Sequence, residues 1–124
     1  DMGKRVMVVD DSRVLKMQIT KLLEGTDYEL AAYCRSGEEA IERYEAVNPD
    51  LVTMDIIMPG MDGLEAARVI LEAHPEARVI MVSSLAYGDT YDEAKSIGTK
   101  GFISKPFQKK EVLAAFEKAF SDTL

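Results

Sequence analysis

Four short stretches of the chain carry groups equipped for chemistry: Asp10-Asp11-Ser12, Asp55, Ser83-Ser84 and Lys105-Pro106. Each follows a short apolar run, so three carboxylates, three hydroxyls and an ammonium can meet where those runs end. If the first and third runs are neighbouring strands, about 4.8 Å apart, their terminal carboxylates lie within roughly 5 Å of one another. At an effective dielectric near 20, each such pair repels by about 3 kcal/mol. The cluster then needs a cation or a proton. Oxygen-only ligands with room for water favour Mg²⁺ over zinc or copper. Mg²⁺ beside a lysine stabilises a transferring phosphoryl group. Nothing matches GxxxxGK[ST] or GxGxxG, so the phosphoryl group should arrive without a nucleotide bound to this chain. Taken singly, the residues also have plainer readings. Asp11 or Ser12 could cap the next helix, Asp55 could sit in an ordinary turn, and Lys105 could be a solvated charge.

The elements that must position these groups are legible as alternation. Continuous apolar runs at 6–9, 51–54 and 79–82, with weaker ones at 29–34 and 100–104, read as strands covered on both faces. Between them lie helical stripes: Leu15, Ile19, Leu22 and Leu23; Ile41, Tyr44 and Val47; Leu64, Ala67, Ile70 and Leu71; Val112, Phe116, Ala119 and Phe120. The segment 89–97 is a poorer helix, mostly polar and small. Ser36 with Glu39, Asp62 with Glu65, and Thr90 with Glu93 have capping-box spacing. Gly25 and Gly98 stand where helices should stop. Five βα units in a row predict a parallel sheet with helices on both faces, which binds ligands beyond the carboxyl ends of its strands.

Composition narrows the class. The chain has 124 residues, 47% of them hydrophobic, and a formal net charge of −7. That describes one globular domain, expected over residues 4–122. The acidic balance argues against holding DNA or anionic lipid by bulk electrostatics. A single cysteine, Cys34, excludes an internal disulfide and a cysteine zinc site. No apolar run reaches the roughly 20 residues needed to span a bilayer, and no signal peptide is read. A cytoplasmic domain is expected.

The stretches VMVVDDSR, DLVTMDIIMPGMDG, VIMVSS and GFISKPF, in this order and spacing from about Lys4 to Phe120, resemble the signatures of response-regulator receiver domains of two-component signalling. The resemblance implies a flavodoxin-like, doubly wound α/β fold: a five-stranded parallel sheet in order 2-1-3-4-5 flanked by five helices. It implies that Asp55 is the phosphoacceptor, taking a phosphoryl group from a phosphohistidine of a sensor histidine kinase. Asp11, Asp55 and the backbone carbonyl of Ile57 would hold Mg²⁺, with Asp10 acting mainly through metal-bound water. Lys105 would pair with a phosphoryl oxygen, and Ser83 would hydrogen-bond it and move on activation. Phe102 occupies the position of the switch aromatic. The Lys105–Pro106 peptide is expected to be cis. Ile57 and Leu85 are apolar where many relatives carry polar side chains, which points to slow dephosphorylation. Phe102 lacks the hydroxyl of a tyrosine.

Other residues read as structural. His74 precedes Pro75 at the end of the third helix, Cys34 ends an apolar strand, and the methionines fall largely in apolar runs. Lys109 and Lys110, in the first turn of the last helix, are read as a solvated pair. Two alternatives to a switch remain open. One is a Mg²⁺-dependent phosphohydrolase of haloacid-dehalogenase type, although Ile57 stands where its second aspartate would be. The other is a pseudo-receiver that only binds partners. The downstream protein target is unknown, and neither direct nucleic-acid binding nor membrane insertion is expected.

Overall fold

Each helix of a βα alternation must carry the chain back to start a parallel neighbour. The structure, a computed structural model describing residues 3–84 and 88–121, shows this arrangement throughout. The elements are β1 (Lys4–Val9), α1 (Arg13–Leu23), β2 (Tyr28–Cys34), α2 (Gly37–Val47), β3 (Leu51–Asp55), α3 (Gly63–Ala73), β4 (Val79–Ser83), α4 (Gly88–Ser96), β5 (Gly101–Ser104) and α5 (Lys109–Ser121). All strand pairs are parallel, in the order β2-β1-β3-β4-β5. This is the expected doubly wound sheet.

Because side chains alternate across a strand, the apolar runs feed two cores. Val6, Val8, Ile80 and Val82 pack with Leu15, Ile19 and Leu23 of α1 and Val112, Phe116 and Ala119 of α5. Met7, Val9, Val52, Met54 and Met81 face the other way, against α2, α3 and Ala94 of α4. Both faces are dry, which is why these runs are continuous instead of alternating. The α4 helix has the weakest apolar face, with only Ala94 buried. Among the described residues no helix is long and apolar enough to cross a membrane.

Two of the expected caps form as read. Ser36 accepts from the Glu39 amide at 3.0 Å and Asp62 from the Glu65 amide at 2.9 Å. The Thr90–Glu93 cap does not. Helix α4 already begins at Gly88, so Thr90 lies inside it, and Glu93 instead pairs with Arg68 at 3.5 Å. In a short polar helix, capping spacing recurs without marking an end. Met17 is a second correction: unlike Met7, Met54 and Met81, it is 76% exposed on α1. Gly25 and Gly98 do end helices, both with positive φ.

Candidate functional site

The sheet ladder itself delivers the site. Beyond the strand ends, three further backbone bonds continue it: the Asp10 amide to the Cys34 carbonyl at 2.9 Å, Ile56 to Val82 at 3.0 Å, and Lys105 to Ser83 at 2.9 Å. Asp55 and Ser83 are the last residues of β3 and β4, and Asp10 and Lys105 follow β1 and β5 directly. The four side chains therefore share one edge, set by backbone geometry before any contact among themselves. The Lys105–Pro106 peptide is cis.

One residue that matters here is not singled out by sequence reasoning. A Cβ on Gly63 would fall 1.9 Å from the Asp55 backbone oxygen. Only glycine lets α3 start this close to the Asp55 carbonyl. Its signal was available: a helix opening on glycine, a poor helix former, calls for a reason.

Asp10 and Asp55 are buried, 1% and 6% exposed, while Asp11 is the more open member. One oxygen from each of the three lies within 4.8 Å of the others. The Lys105 ammonium donates to Asp10 Oδ2 at 2.8 Å and stands 3.5 Å from Asp55 Oδ1. Asp10 Oδ1 also accepts from the Ser12 amide at 2.8 Å. Burial, and next the Asp10 carboxylate, push the Asp55 carboxyl up to about 6 against the pull of Lys105. Burial alone would lower the Lys105 pKa, but its bond to Asp10 and the charge of Asp55 raise it above the ordinary lysine value.

One ammonium faces three carboxylates, so the cluster retains negative charge when all are ionised. The donor set is oxygen only and open on the Asp11 side, where water can complete a coordination shell. These residues fit a small hard divalent cation such as Mg²⁺. Among the described residues no other group of three or more His, Cys, Asp or Glu converges in this way.

Around this centre, Ser83 is buried, 3% exposed, and Ile57 is 60% exposed on the loop after β3. Leu85 lies outside the described residues. Phe102 is half-buried, its ring 5.8 Å from that of Tyr91. It borders a cavity of about 180 Å³ shared with Ala94 and Thr99. Ser12 takes the plainer role foreseen for it and caps α1, accepting from the Leu15 amide at 3.3 Å. His74 caps the C-terminus of α3, its ring 4.7 Å from that of Tyr44. Cys34 is fully buried, and burial pushes its thiol up to about 11, so it is not poised to react.

The chain is similar to known proteins in sequence and in fold. Residues 6–117 match the sequence profile of the response regulator receiver domain. The chain is 40% identical over 117 residues to the chemotaxis protein CheY of Thermotoga maritima, covering 94% of this chain and 98% of that protein. It is 39% identical over 120 residues to CheY of Bacillus subtilis, covering 97% and 100%. Among solved structures, the CheX-CheY-BeF₃-Mg²⁺ complex from Borrelia burgdorferi superposes with a TM-score of 0.90 at 34% identity, covering 96% of this chain and 90% of that one. A five-stranded parallel sheet that gathers three aspartates and a lysine at its carboxyl edge, in a chain with these relatives, is a response-regulator receiver domain, and the chain belongs to that family.

Proposed function

We propose that this chain is a phosphorylation-controlled signalling switch in which Asp55 accepts a phosphoryl group from a phosphohistidine of a sensor histidine kinase. The observation that carries the reading is the buried Asp55 carboxylate, flanked by Asp10, Asp11 and the Lys105 ammonium. An Asp55 oxygen attacks phosphorus while the P–N bond to the donor imidazole breaks. The electron pair leaves with the imidazole, which is then protonated. The nucleophile must be ionised, and a carboxyl near 6 is largely so at neutral pH. Asp11, Asp55 and the Ile57 carbonyl would hold Mg²⁺, with Asp10 reaching it through water. When bound, the ion supplies positive charge that offsets repulsion between an anionic acceptor and the phosphoryl oxygens.

Lys105 now divides its ammonium between Asp10 and Asp55. In the acyl phosphate it would pair with a phosphoryl oxygen, and Ser83 would donate a hydrogen bond to another. Movement of Ser83 would draw Phe102 inward and alter the surface of α4, β5 and α5 that a downstream protein reads. Val14, Met17 and Ile57, apolar yet 64%, 76% and 60% exposed, stand on α1 and the loop after β3. A cytoplasmic kinase domain would approach Asp55 across these side chains. Incubation with acetyl phosphate and Mg²⁺, followed by intact mass, tests the reading. A persistent gain of one phosphoryl group supports the switch. Continuous phosphate release without that gain identifies a hydrolase, and no reaction identifies a binding-only receiver.

A further inference from the structure

The edge strand β2 gives no side chain to the carboxylate cluster. Its end nevertheless meets the loop between β1 and α1 residue by residue. The Cys34 carbonyl accepts from the Asp10 amide at 2.9 Å, and the Arg35 guanidinium donates to the Asp11 carbonyl at 3.2 Å. The Tyr33 hydroxyl donates to the Ser12 carbonyl. Three consecutive loop residues are thus held by Tyr33 and Cys34 at the end of β2 and Arg35 just past it.

A register shift makes this possible. Val6 pairs with Leu30 but Met7 pairs with Ala32, so Ala31 is an extra residue in β2. Before it, Tyr28 and Leu30 face the α1–α5 core; after it, Ala32 and Cys34 face the α2–α3 side and Tyr33 faces α1. If Ala31 were instead part of the regular alternation, Tyr33 would turn to the α2–α3 side, away from the loop.

We infer that Tyr33, supported by Arg35, is a positioning residue for the Mg²⁺ site, clamping the loop so that Asp10 and Asp11 stay converged on Asp55. The clamp rests on the reading of the carboxylate cluster as a Mg²⁺ site. Its physical need is plain. Without the ion the carboxylates repel, and the loop bearing two of them is pushed outward unless something holds its backbone. Tyr33 suits the task because its hydroxyl, a phenol protonated at neutral pH, reaches the Ser12 carbonyl directly. The Lys16 ammonium lies 5.9 Å over the Tyr33 ring.

The test is Mg²⁺ affinity by calorimetric titration of the parent, Tyr33→Phe and Tyr28→Phe, well below their melting temperatures. Tyr28 is the control, a tyrosine at the far end of the same strand. Tyr33→Phe keeps charge and ring packing and should weaken Mg²⁺ binding about three- to tenfold, the usual range for one lost hydrogen bond. Amide exchange in the metal-free loop at Asp11 to Arg13 should quicken, and Tyr28→Phe should match the parent on both counts. Equal affinity for Tyr33→Phe and the parent overturns the clamp and leaves the metal site standing. Equal weakening in both variants overturns it too, by showing general loosening. A parent that binds no Mg²⁺ overturns the metal reading itself.

Discussion

Asp55→Asn should make the metal-free protein more stable while removing its chemistry. The Asp55 carboxyl stands at about 6 in the fold against 3.8 for an unperturbed aspartate. A raised carboxyl pKa means that the folded state holds its proton more tightly than the unfolded chain does. That contribution to stability is present in full below pH 3.8 and is lost as pH rises through about 6. A shift of about two pH units is worth up to ~3 kcal/mol at neutral pH, with the attraction of Lys105 already counted. Asparagine removes the charge but leaves a polar group to satisfy, so a gain of about 1–3 kcal/mol is expected at pH 8. For a chain of this length that raises Tm by roughly 4–12 °C. The assay is thermal unfolding of parent and variant in EDTA from pH 4 to pH 8. The gap should be near zero at pH 4 and open through pH 6. Added Mg²⁺ should stabilise the parent and not the variant, narrowing or reversing the gap. A variant equal to or less stable than the parent at pH 8, or a gap independent of pH, would refute the crowded-carboxylate account.

Asp11→Asn should raise the metal-free Tm by less than Asp55→Asn, because Asp11 is more open to water. Asp11→Ala should lose Mg²⁺ affinity, and a titration showing parental affinity would remove Asp11 from the ligand set. With beryllofluoride standing in for the phosphoryl group, amide shifts should concentrate between Ser83 and Phe107. Shifts confined to residues touching Asp55 would mean no long-range switch. Ile57→Asn and Leu85→Glu should speed loss of the acyl phosphate by orienting water for in-line attack, together by up to about 100-fold. Unchanged or slower loss in both would show that these apolar residues do not set the lifetime.

The sheet order and the layering were legible because each strand reads as a continuous apolar run and each major helix as a stripe. Asp10, Asp55, Ser83 and Lys105 were legible for the same reason: once the runs are parallel strands, the residues ending them must share an edge. Helix α4 was less so, since a stretch with only Ala94 buried leaves no stripe to fix its start, and Thr90 misled as a cap. Gly63 was missed because its role lies in the absence of a side chain against the Asp55 carbonyl. The contact from Tyr33 to Ser12 was out of reach. It depends on one extra residue in β2, and an apolar strand sequence carries no mark of where its register slips. Such contacts belong to tertiary register, which local pattern does not encode.

The claim at the centre of this account is that Asp55 is the residue phosphorylated. The direct measurement is to treat the protein with acetyl phosphate and Mg²⁺, reduce the acyl phosphate with borohydride, and locate the reduced residue by peptide mass mapping. The account predicts a single modified position, Asp55, with none when Mg²⁺ is withheld or when Asp55 is replaced by asparagine. Modification at another residue in the parent, or undiminished labelling of the Asp55→Asn variant, would contradict it.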